Sequence, residues 1–357
     1  MYEIFVINPG STSTKVGWFE DDKEIFLKNI QHSKKELLSH RKINGQLSLR
    51  RNSILNTLKE EKKKIEDFDA IVGRGGALRP IESGTFRVNE RMLEDLREGL
   101  QGEHASNLGG ILAAEIAKAA SIPAFIVDPI VVDEMDPIAK ITGRPEIKRR
   151  SIFHALNHKA TARSIAKTLG KDYKDLNLII AHLGGGITIG AHMKGRVVDI
   201  NDGLYGDGPF APERAGGLPV WSAVNYFLSN NFSRDEIKQK LAGDAGVVAH
   251  LGTNNMKEVI TRIKKGDKKA EEIYSALIYQ VSKEIGKLAP VFYGKVDAIV
   301  LTGGISHEKE FTEEVKKRVE FIAPVYISPG GDEMKAMALG ALRVLNGEEK
   351  AKEYQEV

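Results

Sequence analysis

The chain has 357 residues, 41% of them hydrophobic and 28% charged, which suits a globular protein of two domains. Its net charge of +3 is too small to imply nucleic-acid binding, and the short basic runs Lys62-Lys63-Lys64 and Lys148-Arg149-Arg150 read as solvated faces. The absence of cysteine excludes disulfides, thiolate zinc sites and a cysteine nucleophile and fits a reducing cytoplasm. With no apolar run of about 18 residues and no signal-peptide pattern at the start, no membrane partner is expected.

In chain order, residues 4–8 and 15–19 read as a hairpin whose turn carries Ser11, Thr12, Ser13 and Thr14 ahead of Lys15. Residues 70–73 form a short buried strand. Asn89 caps a helix with Met92, Leu93, Leu96 and Leu100 on one face and Gly99 near its end. A helix over 110–120 leads to a strand over 124–128, and a long helix is predicted over 151–169, closed by Gly170. The pattern then restarts. Residues 176–200 repeat strand, glycine turn, strand, turn and strand, as residues 3–26 do. Helices are predicted near 211–229, 233–241, 255–265 and 267–288. A strand over 297–301 runs into Thr302-Gly303-Gly304, and a strand over 324–328 meets Pro329-Gly330-Gly331 and a final helix. Alternating strands and helices in two hairpin-led halves imply a duplicated α/β domain.

Glycine lets a turn approach a ligand closely, and hydroxyls with a nearby lysine make a phosphate cradle. One such turn alone reads better as a tight hairpin with solvated hydroxyls; two, each opening a matching half, favour a polyphosphate. No G-x-x-x-x-G-K-[ST] or G-x-G-x-x-G is present, so the P-loop and dinucleotide-binding readings lose their main signal.

Taken together, INPGSTSTKVG, HLGGGITIG and VLTGGIS resemble the two phosphate motifs and the adenosine motif of the actin-like sugar- and acetate-kinase superfamily. VGRGG, DPIVVDEM, RRSIFHALNHKA and FAPERAGGLP, in this order, extend the likeness over nearly the whole chain to the acetate and butyrate kinase family. The resemblance implies two duplicated actin-like (ribonuclease H-like) α/β domains with a nucleotide cleft between them. These would be residues 1–147, joined by a returning helix within 336–357, and a nucleotide-binding domain over 148–335. It implies phosphoryl transfer from ATP, with Mg²⁺, to a short-chain carboxylic acid, giving an acyl phosphate and ADP, in a homo-oligomer. A carboxylic acid is already ionised at neutral pH and needs no general base, so arginines, a metal and hydrogen-bond donors should carry catalysis.

Arg74, in VGRGG, reads by residue type as an arginine at a strand end, and Arg214, in FAPERAGG, as a loop partner of Glu213. The resemblance places both at the reacting carboxylate and phosphate, where a planar fork suits two-point recognition. His154 and His158 are four apart on a predicted helix, but no third ligand accompanies them. One histidine donating to the transferring phosphoryl is the better reading; the resemblance implies that it is His154, with His158 structural. His182 reads equally as a satisfied core histidine or a phosphate donor, and its motif favours the donor. The resemblance puts Asp128 and Glu333 in the Mg²⁺ shell and Asn8 near the metal or transition state. It puts Ser11, Ser13, Lys15, His182, Gly184, Gly185, Gly186, Gly303 and Gly304 on the nucleotide. His104 is a candidate substrate contact.

Gly185 and Gly75-Gly76 depart from the acetate kinase pattern, which carries an asparagine and a valine there. Loss of the valine side chain is expected to enlarge an acyl pocket, lined also by Phe153, and to favour butyrate or isobutyrate. The alternatives are a kinase for acetate, propionate or a branched acid, and, from another class, an actin-like ATPase or nucleotide-dependent regulator.

Overall fold

The computed structural model describes every residue except 39–42, 101, 103, 356 and 357. The chain divides into two compact units, Met1–Val132 with Asp332–Val357, and Asp133–Gly331. The first begins with β1 (Glu3–Pro9), β2 (Ser13–Glu20), β3 (Lys23–Gln31), α1 (Lys34–Leu38), α2 (Leu47–Glu60), β4 (Ala70–Arg74), β5 (Thr85–Arg87), α3 (Glu90–Glu98), α4 (Asn107–Ala120) and β6 (Ala124–Val127). The second holds α5 (Ala155–Thr168), β7 (Asn177–Leu183), β8 (Ile187–Met193), β9 (Arg196–Ile200), α6 (Val220–Ser229), α7 (Arg234–Leu241) and α8 (Val247–Leu251). It continues with α9 (Met256–Lys264), α10 (Lys268–Leu288), β10 (Ala298–Gly303), α11 (Lys309–Val319) and β11 (Val325–Pro329). Finally α12 (Glu333–Leu345) and β12 (Lys352–Glu353) belong to the first unit.

The strand orders are β12-β5-β6-β4-β1-β2-β3 and β11-β10-β7-β8-β9. Without β5 and β12, the first order maps onto the second, strand for strand. In both, an antiparallel hairpin is followed by a third strand through a register shift, at Trp18/Phe19 and at Ala191/His192. The sequence-level repeat is therefore a repeat of topology. In each unit three strands run parallel, and their carboxyl ends share one edge of the sheet. Such edges are where open α/β sheets bind ligands.

Ile4, Phe5, Val6 and Ile7 are all wholly buried, a continuous apolar run that a strand shows when both faces are covered. Helices α4 and α12 both pack on β1. The first core gathers Phe5, Ile7, Trp18, Ile71 and Leu112, and the second Ile179, Ile189, Leu277, Val281 and Leu301.

Several details differ from the sequence expectation. Helix α3 is capped by Asn89, whose side chain accepts from Met92 N, and ends at left-handed Gly99, so Leu100 lies beyond it and is exposed instead of on the apolar face. The helix predicted from residue 151 begins at Ala155, because His154 adopts a non-helical backbone as its N-cap. Residues 211–219 are not helical: Pro212, Gly216, Gly217 and Pro219 break the pattern, and α6 starts at Val220. The compact units divide at 132/133 and 331/332, against 147/148 and 335/336 from sequence. Residues 133–147 pack within the second unit, where Asp136 N bonds Val198 O at 2.9 Å and Glu134 Oε2 accepts from Val197 N at 2.8 Å.

Candidate functional site

In the first unit the candidate residues sit at the carboxyl ends of β1, β4 and β6. Asn8 is the last residue but one of β1, opposite Lys15 in the hairpin register. The turn between them closes with Gly10 N donating to Ser13 O at 2.8 Å, leaving Ser11 exposed and Ser13 half-buried. Beneath this turn lies Arg50, wholly buried. Its Nη1 donates to Ser13 O at 2.8 Å and Thr14 Oγ1 at 2.9 Å, and its Nη2 to Ser11 O at 3.3 Å and Gln46 Oε1 at 2.9 Å. Burial lowers its pKa from the usual arginine value, which starts so high that the group stays a cation. Arg50 stands outside every motif read from the sequence. The available signal was its place on the α2 face shared by Ile54 and Leu58.

Arg74 ends β4. Its Nη1 lies 2.6 Å from Glu333 Oε1 in an ion pair that is not aligned as a hydrogen bond. Asn8 Nδ2 donates to the other Glu333 oxygen at 2.9 Å, so one carboxylate ties Asn8 to Arg74. Asp128 follows β6, is 2% exposed, and holds a φ of +37°, a sparsely populated conformation for a residue with a side chain. Its Oδ1 accepts from Gly84 N at 2.7 Å. His104 Nδ1 accepts from Ser106 N at 3.2 Å, which leaves Nε2 as the protonated edge of the neutral ring. His104 is open to solvent on one side. The protein packed around its other sides, and then the Arg74 charge, lower its pKa from the usual histidine value.

The glycines after Arg74 do not face open space. A Cβ on Gly75 would lie 2.6 Å from Pro129 Cβ, and one on Gly76 2.6 Å from Asn107 Cα. Both positions allow close packing and add no volume to a pocket at those points. Phe153, in the second unit, is 3% exposed and meets His158 edge-on, with centroids 5.2 Å apart.

In the second unit His182 lies near the end of β7 and pairs with Thr188 across the β7–β8 hairpin. Its Nδ1 is 2.7 Å from Asn157 Oδ1, and its ring stacks on that of His154 at 3.9 Å between centroids. The turn Gly184–Gly186 adjoins this pair. A Cβ on Gly184 would stand 3.0 Å from His182 Nε2, and one on Gly186 3.6 Å from His154 Cε1 and 4.0 Å from Arg214 Cγ. Two imidazoles and the stem of the Arg214 side chain therefore flank one glycine turn. Gly185 is exposed, and its carbonyl accepts from Glu213 N at 3.1 Å. Arg214 Nη1 donates to Glu213 O at 3.0 Å, while its Nε is buried with no hydrogen-bond partner among the described residues. Such an orphaned donor is costly unless a ligand satisfies it.

Gly303 ends β10 beside this turn. Its φ is +87°, and a Cβ there would collide with the Leu183 backbone, so the position requires glycine. Gly304 has open space on its Cβ side. Each unit thus presents donors suited to an anion at the carboxyl edge of its sheet. Among the described residues, no group of three or more His, Cys, Asp or Glu side chains is placed to hold a metal. The oxygen donors Asp128 and Glu333 suit a hard cation whose remaining ligands are phosphate oxygens and water.

The chain superposes on solved structures of two kinases of small carboxylic acids. The acetate kinase of Porphyromonas gingivalis superposes with a TM-score of 0.78 at 20% identity, over 97% of this chain and 100% of that one. A propionate kinase from Francisella tularensis gives 0.74 at 20% identity, over 95% and 99%. These likenesses define the fold as that of the actin-like acetate kinases. At the level of sequence, residues 141–327 match the model of the acetokinase family. The chain is also 52% identical over 355 residues to Butyrate kinase 1 of Clostridium acetobutylicum, spanning 99% of this chain and 100% of that protein. The chain belongs to the acetokinase family.

Proposed function

We propose that this protein transfers the γ-phosphoryl group of ATP to the carboxylate of a short-chain fatty acid, with butyrate the leading substrate, giving an acyl phosphate and ADP reversibly. The observation that carries this reading is identity of 52% to a butyrate kinase along almost the whole chain. The donor sets on both sheet edges support it. Packing at Gly75 and Gly76 gives no support to a chain-length preference, so the choice of butyrate rests on that relative.

In the proposed reaction a carboxylate oxygen attacks the γ-phosphorus in line, and the bond from that phosphorus to the β,γ-bridging oxygen breaks. No proton is transferred, so the protein positions groups and stabilises charge. Arg74 binds the carboxylate and an oxygen of the transferring phosphoryl, held in place by Glu333. Arg214 binds the same groups, its orphaned Nε finding an acceptor there. His154 donates to an equatorial oxygen, and His182 with Gly184–Gly186 binds the phosphates. Asn8, Ser11, Ser13 and Lys15 contact the phosphates from the first hairpin, and Gly303-Gly304 faces the adenosine. Asp128 and Glu333 would hold Mg²⁺, which when bound neutralises phosphate charge. His104 contacts the acid.

Two coarser features also belong to this reading. Among the described residues no helix is long and apolar enough to cross a membrane. The cysteine-free composition supports a cytoplasmic site of action. Helix α6 leaves Val220, Trp221 and Leu228 exposed at 79%, 73% and 70%, an apolar face that supports a homo-oligomer.

Trapping acyl phosphate with hydroxylamine tests the function. Hydroxamate formed with butyrate, ATP and Mg²⁺ is the expected result. A maximum at acetate, propionate or a branched acid would move the substrate, and ATP hydrolysis without hydroxamate would favour an actin-like ATPase.

A further inference from the structure

Behind His154 runs a line of buried polar groups that the phosphoryl transfer does not use. His154 Nδ1 lies 3.0 Å from Thr188 Oγ1. Thr188 Oγ1 lies 3.0 Å from His158 Nε2, and His158 Nδ1 lies 3.1 Å from His192 Nε2. His192 Nδ1 lies 2.7 Å from the Tyr173 hydroxyl. Thr188, His158 and His192 have no exposed surface. The elements explain the alignment: His154 and His158 are one helical turn apart at the start of α5, and Thr188 and His192 share one face of β8.

The direction of this chain of hydrogen bonds follows from one contact. His158 Nε2 is also 3.2 Å from the Thr188 carbonyl oxygen, which can only accept. His158 therefore carries a proton on Nε2. Burial first, then the neighbouring His192, His182 and Lys159 charges, pushes its pKa well below the usual histidine value, so the ring is neutral and Nδ1 accepts. His192 must then donate from Nε2 and accept at Nδ1 from Tyr173. At the other end, Thr188 Oγ1 accepts from His158, which leaves its own proton able to turn to His154 Nδ1 and make that nitrogen an acceptor. The only N–H left to a neutral His154 is on Nε2.

We propose that Tyr173, His192, His158 and Thr188 form a one-directional hydrogen-bond relay that holds His154 as the Nε2–H tautomer, with Nε2 as its donor edge. These are positioning residues. A fixed donor spares the site the cost of reorganising a rotating or tautomerising ring as charge moves to the phosphoryl oxygens. The relay gives the buried histidines a role in catalysis, and it rests on the reading of His154 as a phosphoryl donor.

The first test is the imidazole nitrogen spectrum of ¹⁵N-histidine-labelled protein, with His154→Gln used for assignment. The expected result is a proton on Nε2 of His154 and of His158. A proton on His154 Nδ1 in the unaltered protein would overturn the relay, whatever the variants do. The second test is Thr188→Val, which removes the hydroxyl at nearly constant shape. It is expected to lower kcat about tenfold or more, the scale on which lost orienting partners act. KM for ATP and for the acid should stay within about twofold. Thr188→Ser, which keeps the hydroxyl, should recover most of kcat. Unchanged kcat in Thr188→Val would also overturn the relay. Failure of the underlying reading looks different: there His154→Ala would keep full kcat.

Discussion

The turn joining β1 to β2 and the turn joining β7 to β8 occupy equivalent places in two sheets of matching strand order, yet they are braced by opposite means. Under the first lies a cation. Arg50 satisfies the inward carbonyls of Ser11 and Ser13 and the Thr14 hydroxyl, which also bonds His32 Nε2 at 2.8 Å. Beyond the second, from Thr188 at the start of β8, runs a line of neutral imidazoles reaching Tyr173. Duplication has kept strand order, with hairpin loops of four and three residues, and has not kept the support. Strand order is set by backbone pairing, which any apolar alternation can supply. The support comes from α2 in one unit and α5 in the other, and each answers to its own turn.

The comparison breaks most visibly at the charged groups. Arg74→Ala in the first unit, and Arg214→Ala or His154→Ala in the second, should each lower kcat/KM about 10²–10³-fold in the hydroxamate assay. That is the scale of losing one preorganised transition-state donor. An effect confined to one unit would mean that the other edge plays no part in the chemistry.

At the glycines, Gly303→Ala should destabilise the protein by about 3 kcal/mol or more in thermal melts, through left-handed backbone and a collision with Leu183. Gly304→Ala, with open space around it, should stay within about 0.5 kcal/mol.

Arg50→Met tests the cationic brace. It strands two carbonyls and a hydroxyl and should cost about 2–4 kcal/mol of stability by denaturant titration, with weaker ATP binding.

The neutral brace predicts an acid weakness instead. Burial, first among the causes, sets the pKa values of His158 and His192 well below the unperturbed 6.5. The unfolded chain thus binds more protons than the native one below that pH, and stability falls as the solution is acidified. Above it the contribution is constant. Each ring adds at most about 1.4 kcal/mol per pH unit to the slope, so His192→Gln should lower the slope by up to that amount. The smallest effect is expected from Trp221→Glu on α6, which should change sedimentation while leaving kcat within about twofold.

Much of this was legible in the sequence because it depends on local pattern. Apolar runs ending in Asn8-Pro9-Gly10, Val72-Gly73-Arg74 and Leu183-Gly184 mark buried strands that stop at turns, and the sheet edges fall there. The capping of α3 by Asn89 and Gly99 follows from side-chain and backbone chemistry that needs no tertiary context. The supports were not legible. Thr188 reads as an ordinary strand threonine and Tyr173 as a loop aromatic, and only tertiary pairing brings them to His158 and His192. Gly75 and Gly76 show the reverse failure. Their missing side chains suggested space, but Pro129 and Asn107 fill it. Whether an absent side chain leaves a void depends on its neighbours in space.

The bond that is made defines the reaction. The decisive measurement is hydroxamate yield with ATP, Mg²⁺ and a series of acids from two to five carbons, run on the unaltered protein beside Arg74→Ala and His154→Ala. The expected result is acyl hydroxamate, greatest with butyrate and nearly lost in both variants. ATP turnover with no hydroxamate from any acid would contradict it.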